Sequence, residues 1–202
     1  KLLFPAFTYS FYPVYCDFYG IDFERVPLDE GFAVRVEEFL RRDSCGIIFA
    51  NPNAPTGVSL PVERIQYLLD KYPVDKAVIV DEAYVDFGAE TALPLLREHP
   101  NLLIVRTFSK SMSLAGIRLG FVLGHESLIN ALTTVKDSFN SYPVSMLSQF
   151  IAESALEDED YYRTMRQKII ATREVFSSEL QGLGWEVLPS KANFVFARKR
   201  GN

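Results

Sequence analysis

Short apolar runs alternate with stretches in which apolar residues recur every three or four positions, and this alternation fills the first two thirds of the chain. Runs rich in Val, Ile, Leu and Phe read as strands at 21–26, 46–50, 77–80, 102–106 and 119–123, with two later ones at 186–188 and 194–197. Helical spacing fills the gaps at 9–19, 34–42, 61–72, 127–139, 145–156 and 160–180. The segment 61–72 opens with a proline, which a first turn tolerates, and repeats Ile65, Leu68, Leu69 and Tyr72 on one face. The longest segment, 160–180, carries Met165, Ile169, Phe176 and Leu180 as a stripe that reads as core, and Gly182 and Gly184 end it. The chain opens on a further apolar run, KLLFP, to which the pattern assigns no element.

Strands alternating with helices predict an α/β fold with a largely parallel sheet. After residue 123 the pattern changes to consecutive helices and then two strands. The sheet domain is therefore expected to end near residue 143, giving one domain at 1–143 and the start of a second, α+β in character, at 144–202. With 202 residues, no initiator Met and apolar runs close to both ends, the chain reads as an internal piece of a longer protein.

Composition narrows the function. At 48% hydrophobic and 23% charged residues the chain can build a sizeable core. A net charge of −5 supplies no basic field for nucleic acid, and the one basic cluster, ARKR, reads as a solvated strand end. No apolar run reaches the roughly 18 residues of a membrane span. Cys16 and Cys45 form no close pair and read as free thiols in a reducing, cytoplasmic setting, while His99 and His125 lack metal-ligand spacing and read as surface residues.

Three polar clusters each follow directly on an apolar strand: NPNAPTG, DEAYVDF and TFSK. In open α/β sheets, ligands bind beyond the carboxyl ends of the strands, so the three clusters can meet over one site. An Asp at a strand end is also a common turn residue, so Asp81 alone is a weak signal. Thr107, Ser109 and Arg118 offer two hydroxyls and a forked cation suited to a phosphate dianion. Lys110 lies among them, and a lysine beside a phosphate-binding group suits Schiff-base chemistry. Ala115 and Gly116 would allow close backbone approach before Arg118. Asp81 can hold a protonated pyridine nitrogen, the arrangement by which proteins keep pyridoxal phosphate working as an electron sink, and Tyr84 can reach its ring oxygen.

The ordered set NPNAPTG, VDEAYVDF, TFSKSMSLAGIRLG and KANFVF, with the arginine eight residues after the lysine, resembles the fold-type I pyridoxal-phosphate aminotransferases, and within them the histidinol-phosphate type. The resemblance covers essentially the whole chain. It implies a three-layer α/β/α large domain, pyridoxal 5'-phosphate as cofactor, small amino-acid and keto-acid substrates and a homodimer. It implies that Lys110 forms the Schiff base and shuttles a proton, Asp81 pairs with the pyridinium nitrogen, and Tyr84 bonds the ring oxygen. Ser109 and Arg118, with Thr107 close by, would bind the phosphate, and Tyr9 in TYSFY would stack on the ring. Asn193 lies where the family approaches substrate.

The family usually carries Asn before Pro-Thr-Gly, where this chain has Ala54, so Asn51 or Asn53 becomes a candidate to supply a ring-oxygen bond in its place. The resemblance also implies a cis Ala54–Pro55 bond. It places a glycine-containing phosphate loop and a partner-donated tyrosine before Lys1, and the carboxylate-binding arginines after Asn202. The isolated chain is accordingly expected to bind cofactor weakly. An aromatic or broad-range aminotransferase, a threonine-phosphate decarboxylase, a β-lyase and a non-catalytic dimerising relative share these motifs.

Overall fold

The computed structural model describes residues 1–199. Among them, β1 (Leu2–Pro5), β2 (Phe23–Val26), β3 (Gly46–Ala50), β4 (Ala77–Asp81), β5 (Leu102–Thr107) and β6 (Gly120–Gly124) form one sheet in the order β2-β1-β3-β4-β5-β6. The first five are parallel, and the edge strand β6 is antiparallel to β5. The opening apolar run is thus strand β1, placed between β2 and β3. Its four residues are too short for a periodicity signal, yet Leu3 and Phe4 are almost fully buried.

Helices cover both faces. On one face α2 (Val36–Leu40) and α3 (Val62–Lys71) lay Phe39, Ile65, Leu68 and Leu69 against Ile47 and Phe49 of β3 and Val78 and Val80 of β4. Each such fully buried apolar side chain contributes about 1.5–3 kcal/mol relative to an exposed one. On the other face α1 (Phe11–Tyr19) packs Tyr12 and Cys16 against Phe4, with Phe23 and Ile48 beside them. Strand alternation sends Ile79 and Asp81 to this second face, because Val78 and Val80 occupy the first. The predicted α/β/α layering is the one observed.

Beyond the sheet lie α4 (Glu126–Phe139), α5 (Met146–Glu157), α6 (Glu159–Gly182) and a two-stranded antiparallel pair, β7 (Glu186–Val187) with β8 (Ala197–Arg198). Residues 140–145 separate α4 from α5. Among the described residues no helix is long and apolar enough to cross a membrane.

Several expectations need correction. Of the predicted 194–197 strand only Ala197 pairs, and the strand runs on to Arg198, because the Ser190 hydroxyl donates to the Phe194 carbonyl (2.6 Å) and accepts from the Ala192 N–H (3.1 Å), curling the segment before it. His99 is buried rather than on the surface, whereas His125 is exposed as expected and accepts from the Ser127 N–H at the start of α4. The stripe on α6 is not core: Phe176 is 48% exposed, and the buried residue is Arg173 at 6%. Its guanidinium is accommodated because Nη1 donates to the Phe87 (2.9 Å) and Ala192 (2.8 Å) carbonyls while Nε and Nη2 hold Glu174.

Arg173 therefore ties α6 both to the short turn of 3-10 helix at Val85–Phe87, directly after β4, and to the segment preceding β8. Arg173→Met keeps the aliphatic stem and leaves two buried carbonyls without donors. We expect a loss of about 1–3 kcal/mol in urea unfolding. Unchanged stability would show that the clamp carries no weight.

Candidate active site

Parallel pairing sets Ala50 of β3 beside Asp81 of β4, and Asp81 beside Val105 of β5. Backbone bonds extend the register past the strand ends, from Asn51 N–H to Asp81 C=O (2.8 Å) and from Glu82 N–H to Val105 C=O (2.9 Å). The three polar clusters consequently leave the same edge of the sheet side by side.

Asp81 ends β4 pointing to the α1 face. Its Oδ1 accepts the Ala83 N–H (3.0 Å) and its Oδ2 accepts the Tyr12 O–H (3.0 Å). Burial pushes its carboxyl above the usual carboxylate range, against the opposing pull of the Ala83 N–H, Tyr12 and the Lys110 charge. Three residues on, Tyr84 presents its ring to the Lys110 ammonium, with Nζ 5.1 Å from the centroid, a cation–π contact. The other side of Tyr84 meets Phe194 edge-on at 5.1 Å, which brings the KANFVF segment to the same place. Asp81, Tyr84 and Lys110 are brought together as the sequence predicted.

The loop after β5 closes on itself. The Phe108 N–H donates to the Leu119 carbonyl (3.2 Å), the Leu114 N–H to the Phe108 carbonyl (3.0 Å), and the Ser109 N–H to Thr107 Oγ1 (3.1 Å). Because Thr107 pairs with Gly120 across β5 and β6, Ser109 and Arg118 stand at the two sides of the loop base. Arg118 is exposed, adopts the left-handed region (φ 53) and uses one N–H on the Ala115 carbonyl (2.9 Å), leaving most of its donors facing outward. Gly116 is not needed for close approach, since a Cβ there would meet nothing within 4 Å.

The remaining candidates lie around this centre. Asn51 and Asn53 are buried in the NPNAPTG turn, which has cis bonds at Asn51–Pro52 and Ala54–Pro55. The Asn51 amide clasps both backbone groups of Leu60, and the Asn53 amide bonds the Phe7 carbonyl, Thr56 and Thr8. Both side chains thus brace the turn. Ala54 has no polar side-chain atom and offers no hydrogen bond from that position. In that turn Gly57 is required: its φ is +75, and a Cβ would come within 2.5 Å of Ser190 Oγ. Tyr9 is half exposed and lines a cavity of about 340 Å³ together with Arg25 and Pro55. Asn193 is exposed and lines a groove of about 520 Å³ with Phe194, Arg173 and Phe176.

Two features went unread in the sequence. One is Tyr12, which bonds Asp81. The other is a charge network behind the site, anchored on buried Glu82. Glu82, 2% exposed, holds Arg106 (2.7 and 3.0 Å), Thr91 (2.8 Å) and the Ala92 N–H (2.6 Å), while Arg106 reaches Asp86 (3.3 Å) and Asp86 binds Ser111 next to Lys110. Strand alternation is the signal that finds it, because consecutive acids at a strand end face opposite ways. Asp81 goes to the α1 side and Glu82 to the side of Ala92 and the main core.

A mostly parallel α/β sheet with a largely buried acid, a phenol and a lysine gathered beyond its carboxyl edge offers the groups that a bound aldehyde cofactor requires. The chain belongs to the aminotransferase class I and II family, whose pattern it matches over residues 1–200. It is 55% identical over 204 residues to the histidinol-phosphate aminotransferase of Syntrophus aciditrophicus, covering 100% of this chain and 56% of that protein. It is 53% identical to the enzyme of the same name from Pseudomonas syringae pv. syringae, covering 98% of this chain and 56% of the relative. Among solved structures it is similar to the Sinorhizobium meliloti histidinol-phosphate aminotransferase in complex with pyridoxal-5'-phosphate, at TM-score 0.88 and 27% identity over 97% of this chain and 54% of that one. The Clostridium acetobutylicum histidinol-phosphate aminotransferase gives TM-score 0.92 at 25% identity, over 100% of this chain and 62% of that one. The chain thus spans little more than half the length of the curated relatives it matches.

The donor set fits pyridoxal phosphate. Asp81 is a largely buried carboxylate that makes no ion pair among the described residues and has two of its roughly four acceptor positions taken, which leaves room for a cationic N–H. Its titration yields a prediction. A carboxyl whose folded pKa lies above its unfolded value binds its proton more tightly in the native state, so stability falls as pH rises between the two values and stays reduced above them. Asp81→Asn lacks this titration. In the cofactor-free protein the variant should have the higher urea midpoint at neutral pH, and the gap should close on acidification below the usual carboxylate range. A gap independent of pH would contradict it.

Proposed function

We propose that this chain forms the catalytic body of a pyridoxal-phosphate-dependent aminotransferase that moves an amino group between histidinol phosphate, or a related amino acid, and 2-oxoglutarate. The observation that carries the reading is the shared edge of the sheet where the Lys110 ammonium sits over the Tyr84 ring beside the buried Asp81 carboxylate. The curated relatives named histidinol-phosphate aminotransferase support the choice of amino donor.

When bound, the cofactor supplies an electron sink for the charge left at the substrate Cα. Asp81, as a carboxylate with no ion-pair partner among the described residues, would accept a hydrogen bond from the protonated ring nitrogen and so hold the ring cationic. The Tyr84 phenol donates to the ring oxygen, alone in that role because Asn51 and Asn53 are held by the turn. Ser109, Thr107 and Arg118 at the loop base hold the phosphate. Lys110 would hold the cofactor through its Nζ, and the same amine, once free, would be placed to move the proton at the substrate Cα. Tyr9 covers the ring, and Asn193 stands at the substrate side of the Phe194 segment.

Residues 1–143 then form the cofactor-binding domain and 144–202 begin a second one. The protein works as a cytoplasmic homodimer, in keeping with the exposed aromatic face of α1, where Phe18 is 79% exposed.

The test is a panel of amino donors given to the intact protein with 2-oxoglutarate as acceptor, scored by glutamate formed. Histidinol phosphate should be among the best donors, and Lys110→Ala should lose at least about 10²–10⁴-fold in rate. Amine products formed without 2-oxoglutarate would indicate decarboxylation, and activity retained in Lys110→Ala would refute the role of the lysine.

A further inference from the structure

Tyr12 is 4% exposed, in the first turn of α1. A buried phenol needs an acceptor, and a backbone carbonyl would serve. Here the acceptor is Oδ2 of Asp81 at 3.0 Å, and Tyr12 is the one side chain among the described residues that donates to that carboxylate. The ring is fixed independently. Phe4 packs against it at 6.0 Å and 58°, and Tyr9 meets it edge-on at 5.5 Å and 82°. Tyr12 therefore touches both the acid proposed to hold the ring nitrogen and the aromatic proposed to cover the ring. Burial, and then the neighbouring Asp81, push the phenol's pKa well up, so it remains a donor throughout the working pH range.

We propose that Tyr12 is a positioning residue: its O–H fixes the Asp81 carboxylate and stabilises it as an anion, while its ring seats Tyr9. This rests on the function proposed above. The groups facing Asp81 are the Lys110 charge, acting through space, and the neutral Tyr12 phenol, with the Ala83 N–H on the other oxygen. Removing the phenol oxygen takes away one of two donors and makes the carboxylate more basic. A more basic Asp81 would draw the ring-nitrogen proton toward itself and would hold the ring less cationic, so proton removal at the substrate Cα would slow. With a less positive ring, the Lys110–cofactor link keeps its own proton to higher pH.

The experiment compares wild type, Tyr12→Phe, Asp81→Asn and the double variant in the intact protein, by pyridoxal-phosphate binding, the pH midpoint of the visible absorbance of the lysine-bound cofactor, and kinetics. Tyr12→Phe should weaken cofactor binding about tenfold, as expected for one hydrogen bond to a charged group. It should also raise the absorbance midpoint by about half a pH unit or more and lower kcat about tenfold with KM nearly unchanged. In the Asp81→Asn background the same substitution should have little further effect on binding, because the two act as one unit. Wild-type binding and midpoint in Tyr12→Phe would overturn the proposal, as would full additivity in the double variant. If wild type itself shows no lysine-dependent absorbance, the proposed function fails first. If wild type shows it and Tyr12→Phe matches, only the role of Tyr12 fails.

Discussion

Everything at the candidate site depends on the parallel register of β3, β4 and β5. Ala50, Asp81 and Val105 lie in one row across the sheet, and each strand releases its polar cluster at that row. Parallel strands need crossovers and are buried on both faces, so their carboxyl ends form a shared rim rather than separate turns. A slip of one residue in β4 would send Asp81 to the α2–α3 face and Glu82 to the α1 face. The apolar cores on both faces oppose that slip, since it would take Val78 and Val80 out of the α2–α3 core and turn Asp81 into it. Packing energy in the sheet is what places the acid near the lysine.

Around that rim the protein keeps two kinds of charge apart. Glu82 and Arg106 form a buried pair whose remaining acceptor capacity is filled by Thr91 and the Ala92 N–H. It is satisfied within the protein and holds the loop behind Lys110 through Asp86 and Ser111. Asp81 is the reverse case, a buried carboxylate with hydrogen bonds but no ion pair among the described residues. Adjacent acids thus divide the work by strand alternation, one bracing the backbone and one open to a cationic ligand.

The sequence carried most of the sheet, the class of fold and the three candidate residues that the fold brings together, because each rests on a local signal. Apolar runs mark β3, β4 and β5, and Asp81, Tyr84 and Lys110 follow directly on two of them. What it did not carry depends on tertiary partners. Strand β1 is four residues long and identifiable only through its neighbours β2 and β3. Arg173 sits inside what reads as a hydrophobic stripe, and two carbonyls distant in sequence make its burial possible. Asn51 and Asn53 have the chemistry to touch a ligand, but their amides brace the turn that holds them. The bond from Tyr12 to Asp81 joins residues from α1 and β4 that only the folded sheet brings together.

The central claim is that Lys110 is the covalent anchor of the cofactor. It is tested most directly by loading the intact protein with pyridoxal phosphate, reducing it with borohydride and mapping the pyridoxyl group by peptide mass spectrometry. The account predicts stoichiometric modification of Lys110. Modification of Lys168 or Lys191 instead, or of no lysine, would contradict it.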